Sequence, residues 1–247
     1  MKPSNQFLGT IYSIGAPQVA EMILLSGFDW VLIDMEHSAL SLSDTQVALQ
    51  VFGDKILTII RVPGNDEIWI KRVLDTGCNG IIIPMVNNAE EAEKAIAAAR
   101  YPPDGKRSVG LGRAHKYGAS FNEYLEKANS SLIVMIQIEH TDAVKNIDSI
   151  LKVKGIDAIF IGPYDLSASM GLTGRINHPE VRAAVDLVKK KCLEAGIPYG
   201  IFGGTPESLE KDIKEGCTYP VCGIDVSILS RSLNDFRKKL SLFMSTI

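Results

Sequence analysis

The stretch Ile133–Leu166, IVMIQIEHTDAVKNIDSILKVKGIDAIFIGPYDL, decides the fold. Two apolar runs, Leu132–Ile138 and Ala158–Ile161, each lead straight into a carboxylate. The first ends Gln137-Ile138-Glu139 and the second Gly162-Pro163-Tyr164-Asp165. Continuous runs of Ile and Val fit strands covered on both faces, as in a parallel sheet. Glu139 and Asp165 are about 26 positions apart, close to the roughly 30 residues of one βα unit in an eight-fold barrel. Neighbouring parallel strands would hold the two carboxylates side by side at one sheet edge. Like charges that close need a cation or a shared proton. The alternative is that each acid caps the helix after it. The matched strand-end positions favour a metal.

Outward from this stretch one pattern recurs: a helix-like segment, a Gly, then a short apolar strand. It occurs at Gly27 before Trp30–Ile33, Gly53 before Leu57–Ile60 and Gly77 before Gly80–Ile83. It returns at Gly155 before Ala158–Ile161, Gly196 before Tyr199–Phe202 and Gly216 before Tyr219–Cys222. Glycine suits the position just past a helix because it takes the left-handed conformation freely. With Phe7–Tyr12 and Leu132–Ile138 the count reaches eight strands. Helices are predicted over Pro17–Ser26, Ser43–Val51, Glu67–Asp75, Ala89–Ala99, Thr141–Leu151, Pro179–Glu194 and Pro206–Glu215, with a last one over Leu229–Phe243. Strand and helix alternating eight times points to an α/β fold, a (β/α)8 barrel, as one domain over residues 1–247.

The composition suits such a domain: 247 residues, 46% hydrophobic and 22% charged, with net charge −3. The basic runs Lys189-Lys190-Lys191 and Lys238-Lys239 fall in helical patterns and read as solvated faces, so no nucleic-acid partner is expected. No apolar run approaches the roughly 20 residues of a membrane span. The opening MKPSNQFLGT has no apolar core segment, so no secretory signal is expected. The scattered Cys78, Cys192, Cys217 and Cys222 match no zinc spacing and read as free thiols in a reducing cytoplasm.

In a (β/α)8 barrel the chemistry sits where strands end. Those ends carry Asp34-Met35-Glu36-His37, Arg61, Pro84, Gln137-Ile138-Glu139, Tyr164-Asp165, Gly203-Gly204-Thr205 and Asp225. His37 suits a general base near neutral pH; the alternative is a structural hydrogen bond. The fork of donors on Arg61 could hold a carboxylate or an enolate oxygen, or pair with a rim acid. Glu139 and Asp165 offer hard oxygen ligands suited to Mg²⁺ or Mn²⁺. The loop Gly162–Ser167 can aim backbone N–H groups at an anion. His115, His140 and His178 read as surface or cap positions.

With these segments in view, the chain resembles the HpcH/HpaI family of class II, pyruvate-dependent aldolases, of the 2,4-dihydroxyhept-2-ene-1,7-dioate and 2-keto-3-deoxy sugar acid type. The likeness runs in order through Gly27-Phe28-Asp29-Trp30, Asp34-Met35-Glu36-His37, Arg61-Val62-Pro63, Leu74-Asp75-Thr76-Gly77 and Pro84-Met85-Val86. It continues through Arg100–Ser108, Gln137-Ile138-Glu139, Gly162–Ser167 and Gly223-Ile224-Asp225. The resemblance implies that Glu139 and Asp165 are ligands of a divalent metal (Mg²⁺, Mn²⁺ or Co²⁺) that chelates pyruvate or its enolate. It implies that Gln137 and the backbone N–H groups of Tyr164 and Asp165 hold substrate. His37 would promote proton removal with Asp75 as its partner, and Arg61 would steady oxyanion charge. It further implies a homo-hexamer, a trimer of dimers, in which the last helix packs on a neighbour and Arg100–Ser108 lies near a subunit interface. Tyr164 departs from the small residue that better-known members carry before the ligand Asp.

The implied reaction is reversible cleavage of a 4-hydroxy-2-oxo acid into pyruvate and an aldehyde through a metal-bound enolate. No strand ends in Lys, and Lys71 lies inside a helical pattern, so a Schiff-base route is not expected. The alternatives are an acyl-CoA lyase of the citrate lyase β type, a 2-oxo acid decarboxylase or tautomerase, and a non-catalytic subunit that binds 2-oxo acids.

Overall fold

The computed structural model describes residues 6–244. Residues 1–5, part of the opening stretch considered for a signal segment, lie outside the described residues. The strands are β1 (Gly9–Tyr12), β2 (Trp30–Asp34), β3 (Leu57–Arg61), β4 (Gly80–Ile83), β5 (Ile133–Ile138), β6 (Ala158–Ile161), β7 (Tyr199–Gly203) and β8 (Tyr219–Ile224). They pair in that order, all parallel, and close through β1 and β8 into a barrel. The helices are α1 (Pro17–Leu25), α2 (Leu42–Phe52), α3 (Glu67–Asp75), α4 (Ala89–Ala99), α5 (Phe121–Ser131), α6 (Thr141–Lys145), α7 (Ile147–Ile150), α8 (Pro163–Ser169), α9 (Pro179–Ala195), α10 (Pro206–Lys214) and α11 (Asp225–Met244). This is a (β/α)8 barrel.

The period-two alternation of the strands splits the core into two. Trp30, Leu32, Ile59, Ile82, Met135 and Phe160 fill the barrel interior. Val31, Ile33, Ile60, Ile81, Ile83 and Ile136 face the helices. Residues that continue the interior face toward the strand ends therefore arrive at the mouth: Asp34 after Leu32, Arg61 after Ile59, and Gln137 after Met135. Register aligns them further. Asp34 pairs with Arg61 across β2 and β3, and Ile138 pairs with Ile161 across β5 and β6. Glu139 and Gly162, one step past those strands, become neighbours.

Three segments differ from the sequence reading. The helix predicted over Thr141–Leu151 breaks at Asn146, whose side-chain amide donates to the Asn87 carbonyl at 2.9 Å. The Gly162–Ser167 loop is the start of α8, with Pro163 in the first turn, where its missing N–H costs nothing. Helix α5 was not predicted. His140 and His178 are helix N-caps, as expected, each accepting a backbone N–H. His115 is instead buried, its Nε2 beside the Gly112 N–H and the Gly110 carbonyl, so it fixes a loop from inside.

The last helix stands apart from its own barrel. Leu229, Leu233, Phe236, Leu240 and Phe243 recur every three or four positions and are all half or more exposed. Near its base a cavity of about 740 Å³ opens between β1, β8, α10 and α11, lined mainly by apolar groups including Leu8, Phe28, Leu209 and Ile213. Among the described residues no helix is long and apolar enough to cross a membrane.

Candidate active site

At the C-terminal mouth of the barrel a cavity of about 270 Å³ is bordered by Asp34, His37, Arg61, Tyr164, Asp165 and Phe202. Three linked groups build it.

The first is Asp34 with Arg61. The Arg61 Nε and Nη2 donate to the two oxygens of Asp34 at 2.9 and 2.7 Å, a bidentate pair. Asp34 is buried and also accepts the backbone N–H groups of Glu36 and His37 at 3.0 and 3.2 Å. Burial works against its charge, but the Arg61 hydrogen bonds outweigh it and hold the carboxyl below the ordinary aspartate range. Asp34 thereby sets both the guanidinium and the turn that carries His37.

The second is the pair Glu36 and His37. The His37 ring is more than half exposed, with Nε2 3.7 Å from Glu36 and 4.0 Å from Asp165. Glu36 lies 3.3 Å from Arg61 Nε, yet one of its oxygens is buried without a hydrogen-bond partner. Burial pushes Glu36 up to about 7; Arg61 opposes that shift, and the nearby carboxylates of Glu139, Asp34 and Asp165 add to it.

The third is Glu139 with Gln137 and Asp165. Glu139 is buried; its Oε1 accepts the Met85 backbone N–H at 2.8 Å and its Oε2 accepts the Gln137 amide. Gly162 packs closely beside it: an added Cβ would lie 3.0 Å from Glu139 Cβ and Oε2 and would push the carboxylate aside. Met85 donates from a left-handed backbone, φ 54°, a conformation costly for a side-chain-bearing residue and concentrated at functional sites. Burial raises the Glu139 carboxyl, and the charge of Asp165 adds to that. The buried Gln137 Oε1 has no hydrogen-bond partner. Asp165, about half exposed, opens toward the cavity.

Among the described residues no group of three or more His, Cys, Asp or Glu side chains is placed so that it could hold a metal ion by itself. The pair fits one all the same. Two hard carboxylates, the buried Glu139 raised in part by the charge of Asp165, with an orphaned amide oxygen close by, suit Mg²⁺, which keeps several waters and uses one or two protein carboxylates.

His37, Arg61, Gln137, Glu139, Tyr164 and Asp165 thus converge. Asp75 does not join them within one chain. It ends α3, at the end of the barrel where β4 begins, and binds Arg107 at 2.7 Å. Arg107 is itself buried and stacks its guanidinium 4.5 Å from the centre of the Tyr101 ring. Sequence reasoning left Asp34, Glu36, Met85 and Phe202 without roles. The first two stood at a recognised strand end, and their carboxylates were the available signal. Met85 acts through its backbone and offered none.

Comparison with known proteins bears on the family and the fold. The family model described as HpcH/HpaI aldolase/citrate lyase matches residues 11–232. A curated 4-hydroxy-2-oxo-heptane-1,7-dioate aldolase from Shigella flexneri is 37% identical over 235 residues, covering 94% of this chain and 88% of that protein. A family protein of solved structure from Burkholderia cenocepacia superposes with a TM-score of 0.92 at 30% identity, covering 96% of this chain and 95% of that one. An HpcH/HpaI aldolase from Desulfitobacterium hafniense superposes at 0.88 with 28% identity, covering 96% and 93%.

Proposed function

This chain belongs to the HpcH/HpaI aldolase/citrate lyase family, and from that premise we propose that it is a divalent-metal-dependent carbon–carbon lyase that reversibly cleaves 4-hydroxy-2-oxo acids into pyruvate and an aldehyde. The observation that carries the reading is the buried Glu139 set against Asp165 beside the orphaned Gln137 oxygen, next to an arginine and a histidine at one barrel mouth. Glu139 and Asp165 would hold the metal, which when bound supplies the Lewis acid that polarises the 2-oxo group.

The chain's own groups do the rest. Substrate enters with its 2-oxo acid end toward Gln137 and the N–H groups at the start of α8. His37, hinged on Asp34, takes the proton from the 4-hydroxyl. The C3–C4 bond then breaks, the aldehyde leaves, and its electrons pass to the C2 oxygen as an enolate. The Nε–H and one N–H of Nη2 of Arg61 are committed to Asp34, so the Nη1 donors and the second N–H of Nη2 are left for that developing charge. Proton return to C3 gives pyruvate. A Schiff-base route finds no support: the buried Lys189 sits on α9 between Asp212 and Glu215. Burial opposes its charge, but those carboxylates hold its amine above the ordinary lysine range, the wrong direction for a nucleophile.

Deuterium exchange into the methyl group of pyruvate, followed by NMR, tests this. Exchange should occur with Mn²⁺ or Mg²⁺ and stop with EDTA. Exchange that survives EDTA would mean a lysine route. Absence of exchange would favour the acyl-CoA lyase or non-catalytic readings.

The assembly belongs to the same proposal: a homo-oligomer, of the hexameric order the resemblance implies, in which the exposed α11 stripe packs on a neighbour. It also gives Asp75 a role, since a partnership with His37 requires the two to come from different copies. Converting Leu233 and Phe236 together to Asp should reduce the sedimenting species to a smaller one; an unchanged mass in sedimentation equilibrium would refute the contact. The four free thiols support a cytoplasmic location.

A further inference from the structure

The wall of the cavity away from Glu139 is aromatic and aliphatic. Tyr164, beside the ligand Asp165, projects a half-exposed ring whose centre lies 5.9 Å from that of Phe202, tilted 52° to it. Its hydroxyl reaches over Gly204, where an added Cβ would sit 3.7 Å away. Phe160, Leu32, Ile11 and Ile224 continue this surface down into the barrel. The opposite wall carries the charges. Of the described residues that border the cavity, only His37 and Arg61 can be cationic. Arg61 is bound by two donors to Asp34 and also lies against Glu36, and His37 is flanked by Glu36 and Asp165. Once the 2-oxo acid end is seated, no lining cation is left for a second carboxylate.

We propose that Tyr164 and Phe202 form the surface on which the aldehyde's substituent packs, and that the preferred partner of pyruvate is an aldehyde with a compact apolar or aromatic substituent rather than one ending in a carboxylate. The proposal rests on the aldolase reading and narrows it. It differs from what the names of the curated relatives would suggest, since those name a dicarboxylic substrate. The chemistry is ordinary aldol addition: the C3 carbanion of pyruvate forms one bond to the aldehyde carbon, and the aldehyde oxygen takes a proton. Tyr164 is a specificity residue here, since its ring touches the substituent and not the reacting atoms.

The test compares kcat/KM for addition of pyruvate to benzaldehyde, propanal and succinic semialdehyde, using the full-length protein with Mn²⁺. The wild type should favour benzaldehyde or propanal over succinic semialdehyde by about tenfold or more, the range in which pocket shape and apolar contact discriminate. Tyr164→Ala should collapse that ratio by about tenfold, and Tyr164→Phe, which keeps the ring, should preserve it. Wild-type preference for succinic semialdehyde would overturn the proposal, and so would a ratio unchanged in Tyr164→Ala. Wild-type pyruvate exchange separates the two levels. If exchange occurs but apolar aldehydes do not react, this inference fails alone; if exchange is absent, the aldolase reading fails with it.

Discussion

Glu139→Gln is expected to leave the barrel folded and to remove at least about a thousandfold of kcat/KM, roughly 4 kcal/mol of transition-state stabilisation. The substitution preserves shape but not donor pattern. Both oxygens of Glu139 accept, one from the Met85 backbone and one from the Gln137 amide. A glutamine in the same rotamer would oppose an NH₂ to one of those donors, and its remaining oxygen would carry no charge for a cation. The side chain sits past the end of β5, among polar groups at the mouth, so the barrel core does not depend on it. Pyruvate release, together with far-UV circular dichroism and thermal melting of the same sample, checks the split. Full activity would withdraw Glu139 as a metal ligand. A lowered melting temperature with proportionate activity loss would assign it a structural task instead.

Arg61→Ala is expected to be damaging twice over. Catalysis should fall about a hundredfold to a thousandfold, as when a preorganised donor to a developing oxyanion is removed. Stability should fall by roughly 3–5 kcal/mol near neutral pH, because Asp34 would be left buried with an uncompensated charge. The pH dependence identifies that cause. In the wild type the Asp34 carboxyl is held below its usual value near 3.8, so its contribution is fully present above that pH and is lost as pH falls through the lower folded-state value. In the variant only burial and the weaker backbone bonds would act. Urea titrations of both proteins should therefore differ most at neutral pH and converge below about pH 4. A difference constant with pH would point to lost packing of the arginine stem. Arg61→Lys should recover part of the stability but little of the rate, since a lysine keeps the charge without the fork.

The eight strands could be read from the sequence because each is a short apolar run and six of them follow a Gly that ends a helix, the form expected of strands buried on both faces. Their ends could not. Asp34 and Arg61 belong to strands, yet a polar residue closing an apolar run looks the same in a strand as in a loop. Helix α5 carries Phe121, Tyr124, Leu125 and Ala128 at helical spacing, but it lies in the long connection between β4 and β5, outside the strand-and-glycine pattern by which the other elements were read. At the site, the residues that act through side chains at strand ends were visible one by one. What needed the fold was their mutual position: Glu36 crowded by three carboxylates, Gln137 turned onto Glu139, and Asp75 sent by helix α3 to the far end of the barrel. Tyr164 was visible as a residue; its ring against Phe202 was not.

The left-handed backbone at Met85 has a consequence for mutational scanning. The donor that holds Glu139 is a peptide N–H, so replacing the Met85 side chain with alanine leaves the donor in place. A systematic alanine survey would pass over the position and record it as tolerant. What is under constraint there is a torsion angle, which glycine or asparagine adopts more readily than methionine. Proline would delete the donor, but its ring fixes φ on the negative side and forbids the native conformation as well. Two sequences could therefore carry different residues at position 85, proline and β-branched residues apart, and still share the same contact to the buried carboxylate, a form of kinship that residue identity does not record.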